Sequence, residues 1–180
     1  MIEKIISGGQ TGADMAGLNV AKELGIETGG TAPVRWATEE GCKQELLESF
    51  GLVEGPEDDR VYVKRTMINI DDSDGTLVFR PFNTIGTTMT IGYAQQKKWA
   101  KGLLTFDENQ NAKTNYKPLY IIRNFENFSV EHIVKWVTDN EISTLNVAGP
   151  RESHSPGLQD KIEEVLKKIL LWQSQTKIKF

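Results

Sequence analysis

Ser7-Gly8-Gly9-Gln10-Thr11-Gly12-Ala13-Asp14 is the first stretch able to do chemistry. It joins a strand-like run to a helix-like stripe. Its glycines let the backbone approach a ligand, and free N–H groups at a helix start favour an anion. It lacks the lysine of a Walker A motif and is not a clean G-x-G-x-x-G, so a tight turn without a ligand stays open. Asp14 in the first helical turn either matches the helix dipole or accepts a hydrogen bond from a ligand, for instance from an amino group on a heterocycle.

Two further strand-to-helix loops have similar content. Thr84-Ile85-Gly86-Thr87-Thr88 offers hydroxyl and backbone donors without positive charge, which suits a phosphate oxygen. N-capping by Thr87 or Thr88 is the plainer reading. Ala148-Gly149-Pro150-Arg151-Glu152-Ser153 adds a guanidinium that can clamp a phosphate or carboxylate, or pair with Glu152 at the surface. A ligand reading gains from convergence, since three strand ends carry glycine with hydroxyls and one adds Arg151.

Other chemistry is poorly supported. The aspartates of Asp71-Asp72-Ser73-Asp74 lack EF-hand spacing, and a cap-and-turn role for Asp72, Ser73 and Asp74 is preferred. Cys42 is the single cysteine, and neither His132 nor His154 has a Cys or His partner at zinc spacing. No metal site is expected. His154 stands beside the Arg151 loop. No serine sits in a nucleophile elbow.

The elements that must position these loops alternate in type. Strands are expected at Ile2 to Ser7, Gly75 to Phe79, Leu119 to Arg123 and Thr144 to Ala148. Helices are expected from Ala13 to Leu24, ended by Gly25, from Thr87 to Lys98, from Val130 to Thr138 after a Ser129 cap, and along Leu158 to Leu170. Glu163–Lys167 and Glu164–Lys168 are spaced to pair on the wet side of the last helix. Arg65 to Asp74 should be a helix entering the second strand. Trp36 to Asp59 fits poorly, helix-like and then loop-like. Alternation of this kind implies an α/β fold, a doubly wound, mostly parallel, Rossmann-like sheet with helices on both faces. Ligands in such folds bind at the carboxyl ends of strands, near a switch in strand order.

Composition bounds the rest. The 180 residues suit one domain spanning 1–180. An apolar fraction of 38% together with 16 glycines reaches the globular average of roughly 45–50%, so a packed core is possible and global disorder is excluded. No apolar run is long enough to span a bilayer, and the N-terminus shows no signal-peptide architecture. A cytoplasmic protein is expected. A net charge of −4 argues against a broad basic nucleic-acid surface but not against a local anion pocket.

Taken together, SGGQTGAD at Ser7 to Asp14, Gly29-Gly30 before Pro33, Arg65-Thr66-x-x-Asn69 running into Asp72-Ser73-Asp74-Gly75-Thr76-Leu77, Leu145 to Ser153, and Pro156-Gly157 resemble the molybdenum cofactor carrier proteins. These belong to a Rossmann-like superfamily with the lysine-decarboxylase-like proteins and cytokinin phosphoribohydrolases. The resemblance spans nearly the whole chain. It implies a homodimer or homotetramer that holds molybdenum cofactor, a pterin dithiolene with a terminal phosphate, and protects it or hands it over without covalent chemistry. Candidate binding residues on this reading are Ser7, Gly8, Gly9, Gln10, Thr11, Gly12, Asp14, Asp74, Gly86, Thr87, Thr88, Gly149, Arg151, Glu152 and Ser153, with none catalytic.

Several positions depart from the family pattern. Met15 stands where Arg is usual, Asn19 where Asp is, and Ile85-Gly86-Thr87 where Gly-Gly-Ser is. About 99–115 is an insertion. The alternative is a nucleotide phosphoribohydrolase, whose second glycine loop continues into glutamates. Here Thr88-Met89-Thr90-Ile91 follows and carries no carboxylate. A third possibility is an interaction domain whose loops hold no small molecule.

Overall fold

Residues 1–57, 62–96, 105–106, 112–113 and 117–176 are described by the computed structural model. Ile5 and Ile6 are buried on β1 (Lys4–Ile6), as a strand covered on both faces requires. The chain continues through α1 (Ala13–Glu23), β2 (Glu27–Ala32), the short hairpin β3 (Ala37–Thr38) and β4 (Gly41–Cys42), α2 (Gln44–Glu48) and β5 (Leu52–Glu54). Next come α3 (Val63–Asp72), β6 (Gly75–Phe79), α4 (Ile85–Gln96), and β7 (Thr105–Phe106) paired antiparallel with β8 (Ala112–Lys113). The last elements are β9 (Leu119–Ile122), α5 (Val130–Asp139), β10 (Thr144–Ala148) and α6 (Leu158–Thr176).

Six strands form one parallel sheet in the order β5-β2-β1-β10-β6-β9. Helices α1, α5 and α6 pack together along it, and α3 and α4 form a second group. The fold is the expected doubly wound α/β class. Its main core joins Ile5, Leu77, Phe79, Leu145 and Val147 of the sheet to Ala16, Val20, Ile162, Leu166 and Ile169 of the helices. Small residues bring α1 close: a Cβ on Gly17 would lie 2.9 Å from the Val147 Cβ.

The differences from the sequence reading are local. Strands β2 and β5 were not expected. The Gly29-Gly30 pair lies inside β2 rather than in a turn. Lys167 bridges Glu23 of α1 at 2.8 Å, and Glu163 accepts from Asn19 of α1 (2.9 Å) and Gln159 (3.2 Å). Lys167 and Glu163, expected to pair along α6, therefore also join it to α1. Ser129 does cap α5, accepting from the His132 N–H at 3.1 Å. Most of the expected insertion at 99–115 lies outside the described residues. Among the described residues, no helix is long and apolar enough to cross a membrane.

Candidate functional site

Strand order makes the site. From β1 the chain moves outward to β2 and β5, then crosses to β6 and β9, and β10 returns between β1 and β6. The carboxyl ends of β1, β10 and β6 are thus neighbours at the reversal, where open α/β sheets bind ligands. The loops that follow them are those carrying the Gly8, Gly149 and Gly86 motifs.

The first loop is a clasp built from its own hydrogen bonds. Gly9 N–H donates to Ser7 Oγ (3.3 Å), Gln10 N–H to Asp14 Oδ2 (3.3 Å) and Thr11 N–H to Gln10 Oε1 (3.3 Å). Gly12 N–H reaches Gln159 Oε1 of α6 (3.3 Å), and Ala13 N–H reaches the Pro150 carbonyl (3.1 Å). The N–H groups from Gly9 to Ala13 are thus already used. Gly12, at φ +74°, allows this docking, because a Cβ there would lie 2.4 Å from the Pro150 oxygen.

Glu39, from the turn between β3 and β4, pins the two loops together. Its carboxylate accepts from the Thr11 hydroxyl and from the Ser153 hydroxyl and N–H. Burial pushes the Glu39 carboxyl up. The hydrogen bonds from Ser153 and Thr11, with the charge of Arg151, outweigh this and hold it below its ordinary value.

In front of the clasp, between α3 and the start of α4, lies a cavity of about 610 Å³. Asp14 faces it and is paired with Arg65 of α3 (Nη1–Oδ2 2.9 Å), with the two side chains only 6% and 13% exposed. One turn further along α3, Asn69 binds the end of β2 as a strand would. It accepts from Thr31 N–H (2.7 Å) and donates to the Thr31 carbonyl (3.0 Å). Gln10 is 2% exposed, and its Oε1 accepts from the Thr11 and Glu39 N–H groups (3.3 and 2.8 Å). That fixes the amide orientation and leaves Nε2 as a buried donor without a partner among the described residues; Arg65 Nε likewise has none there. The Arg151 guanidinium stacks 4.6 Å from the centre of the Tyr62 ring and makes no hydrogen bond among the described residues. Asn146 on β10, buried and bonded to Thr76 Oγ1 (3.2 Å), forms part of the floor.

The α4 wall begins with a cap. The hydroxyls of Thr84 and Thr87 lie 2.6 Å apart, Thr87 N–H donates to Thr84 Oγ1 (3.1 Å) and Thr84 N–H to Thr87 Oγ1 (3.3 Å). Thr84 is therefore the cap where Thr87 or Thr88 was expected. Ile85 and Gly86, first in the helix, line the cavity, and a helix start leaves such N–H groups without intrahelical acceptors.

Residues 5–170 match the circularly permutated YpsA SLOG family. The chain belongs to this family. A crystal structure from Syntrophus aciditrophicus SB, of a protein named "Putative molybdenum carrier protein", is 33% identical. It covers 94% of this chain and 95% of its own, with a TM-score of 0.74. No curated protein matches the chain.

Within this YpsA SLOG fold the candidate residues divide. Gln10, Asp14, Gly86, Gly149 and Arg151 line the cavity. Ser7, Gly8, Gly9, Thr11 and Gly12 form the clasp behind it, and the Thr87 hydroxyl is engaged in the cap. Thr88 faces an adjoining cavity. Glu152 accepts from the Gly157 and Gln159 N–H groups and so caps α6, and Ser153 binds Glu39. Asp74 precedes β6, at the opposite edge of the sheet, and accepts from Ser143 N–H (3.1 Å) and Thr144 N–H (2.7 Å). The structure does not bring it to the cavity. Among the described residues, no group of three His, Cys, Asp or Glu side chains could hold a metal ion.

Sequence reasoning did not assign Tyr62, Arg65, Asn69 and Asn146 to the site, and it placed Thr84 in the second loop without naming it as a binding residue. Arg65 and Asn69 sit four apart on one face of α3, and that spacing was the available signal. Two departures from the family pattern prove remote from the cavity. Met15 packs against the Leu18, Trp36, Leu47, Phe50 and Leu52 cluster, and Asn19 donates to Glu163.

Proposed function

We propose that the chain binds a small phosphorylated heterocycle in this cavity and carries it without covalent chemistry, and that the cargo is molybdenum cofactor. The observation that carries the reading is a surplus of donors on the cavity wall. Arg151 makes no hydrogen bond among the described residues; Gln10 Nε2 and Arg65 Nε, also without a partner there, lie beneath the lining with almost no exposed surface of their own. The N–H groups at the start of α4 add to the surplus. An acceptor-rich ligand with a phosphate answers these groups. About 610 Å³ is within the roughly 300–1,000 Å³ of small-molecule sites. The name of the Syntrophus aciditrophicus neighbour agrees with a molybdenum-related cargo.

A carrier is favoured over a phosphoribohydrolase by the state of the carboxylate. Asp14 is the one carboxylate among the described lining residues, and it is engaged by Arg65 and the Gln10 N–H. A base or an oxocarbenium stabiliser must be free to face the reacting centre. The test is anaerobic incubation with molybdenum cofactor, rapid desalting, and assay of the protein fraction for pterin and molybdenum. Retention near one equivalent, lost in Arg151→Ala, supports the carrier. No retention, with release of adenine from AMP, overturns it.

A further inference from the structure

We propose that Glu39, which does not line the cavity, is the residue that positions Arg151 for its cargo, so that the tip of the β3–β4 hairpin sets the strength of binding through the loop it holds. The proposal rests on the carrier reading and deepens it, since Arg151 is the cation that reading aims at the ligand's phosphate.

Arg151 has little of its own to hold it. Its guanidinium makes no hydrogen bond among the described residues and rests on the Tyr62 ring, 4.6 Å from its centre. Such a long side chain carries large rotamer entropy, and ordering it on binding subtracts from affinity. Fixing the backbone beneath it reduces that cost. Before Arg151, the Pro150 carbonyl accepts from Ala13 N–H (3.1 Å). After it, Glu152 N–H donates to Thr11 Oγ1 (3.3 Å), Ser153 N–H donates to Glu39 Oε1 (3.2 Å), and the Ser153 hydroxyl donates to Glu39 Oε2. Thr11 depends on Glu39 in turn. A hydroxyl has one proton; Thr11 gives it to Glu39, which leaves its lone pairs for Glu152 N–H. Glu39 therefore makes the Ser153 bonds directly and orients the Thr11 bond.

A carboxylate is an acceptor only, which suits these three donors. Burial raises the Glu39 carboxyl, but the bonds from Ser153 and Thr11 and the charge of Arg151 outweigh it, so Glu39 is ionised at neutral pH with Arg151 inside its field.

The hairpin presents this side chain from a rigid base. Arg35 and Trp36, at φ +57° and +54°, are consecutive non-glycine residues in the left-handed region. Backbone of this kind persists only where the surroundings hold it, and it collects at ligand clamps. Here the Trp36 side chain is buried with Leu18, Leu47 and Leu52. In the turn itself, Thr38 Oγ1 accepts from Glu40 N–H (3.2 Å) and donates to the Gly41 carbonyl (2.8 Å). Glu39 N–H also donates to Gln10 Oε1 (2.8 Å). The tip thus grips the first and third loops at once.

The experiment has two arms. On the ligand-free chain, NMR follows the Arg151 side-chain resonances, which the Tyr62 ring current shifts upfield; Tyr62→Leu supplies the unstacked reference. Glu39→Ala should move them toward that reference, and Glu39→Gln, which keeps one acceptor oxygen, should move them less. With molybdopterin, anaerobically, Arg151→Ala should weaken binding by about 10–100-fold, the loss expected of a hydrogen bond to a charged group. Glu39→Ala should weaken it by at least about fivefold, but by less than about twofold once Arg151 is alanine. A carboxylate that only stiffened the fold would weaken both backgrounds alike. Glu39→Gln should recover part of the loss. Ser153→Ala, at an exposed position, removes one donor from Glu39 and should move both readouts the same way, so it decides the matter if Glu39→Ala does not fold. Arg151 resonances unmoved by these variants, or an affinity loss of equal size with and without Arg151, would overturn the positioning role and leave the carrier reading standing. Failure of the wild type to bind molybdopterin would overturn the carrier reading, and the resonances alone would then decide whether Glu39 holds Arg151.

Discussion

Arg65→Met tests the interior of the site directly. The guanidinium is the partner of Asp14 at 2.9 Å, and the two side chains are 13% and 6% exposed, so water screens the pair little. Removing one member leaves a buried carboxylate with only the Gln10 N–H, at 3.3 Å, to answer it. Breaking a buried pair in this way costs about 3–5 kcal/mol. At roughly 2–4 °C per kcal/mol for a chain of this size, the melting temperature should fall by about 6–20 °C. Asp14→Asn added to Arg65→Met removes the stranded charge, so the double variant should be less destabilised than the sum of the singles, by about 0.5–3 kcal/mol. Gly8→Ala offers an orthogonal route, because its Cβ would fall 1.2 Å from Arg65 Nη1 and must displace the guanidinium. Urea denaturation of the four variants beside the wild type is the assay. A loss below about 1 kcal/mol for Arg65→Met, or strict additivity with Asp14→Asn, would refute the account of the pair.

Three further predictions follow from the same geometry. Asn69→Ala strands the N–H and carbonyl of buried Thr31 and should cost about 1–3 kcal/mol in chemical denaturation, with the carboxyl end of β2 losing hydrogen-exchange protection first. Glu39 has a folded-state pKa below its ordinary value of 4.5, so its contribution to stability is present above that value and is lost as pH falls through the lower folded one. The stability difference between wild type and Glu39→Gln should accordingly be constant near neutrality and shrink below about pH 4.5; a difference that grows on acidification would contradict the clasp. Thr84→Ala should cost about 1 kcal/mol by thermal melting, whereas Thr88→Ala should be nearly neutral, because Thr84 is the cap.

Much of this was legible in the residues, and the remainder was not for physical reasons. β1, β6 and β9 carry continuous apolar runs, β10 is apolar but for Asn146, and α1 carries a clear stripe. β2 reads Glu-Thr-Gly-Gly-Thr-Ala, with no large apolar side chain to mark it. Its glycines instead serve close approach, since a Cβ on Gly30 would lie 2.2 Å from the Ser7 carbonyl. β5 is a three-residue edge strand with Val53 and Glu54 exposed, too short to show a period. The loop of Gly8, Gly9 and Gly12 has the composition of an anion cradle, yet Gln159 and Pro150, more than a hundred residues away, take the N–H groups of Gly12 and Ala13. Such tertiary acceptors leave no local trace. Arg151 could be recognised from its place after a strand; its stacking on Tyr62 depends on how α3 packs.

The measurement that bears most directly on the central claim is thermal stability of the purified chain, anaerobically, with molybdenum cofactor, molybdopterin, molybdate, AMP, GMP and phosphate. A ligand held at 100 times its dissociation constant should add about 2.7 kcal/mol. The account predicts a shift with the two pterins, little with molybdate, and loss of the shift in Arg151→Ala. A shift with AMP alone, accompanied by free adenine, or no shift with any of the six, would contradict it.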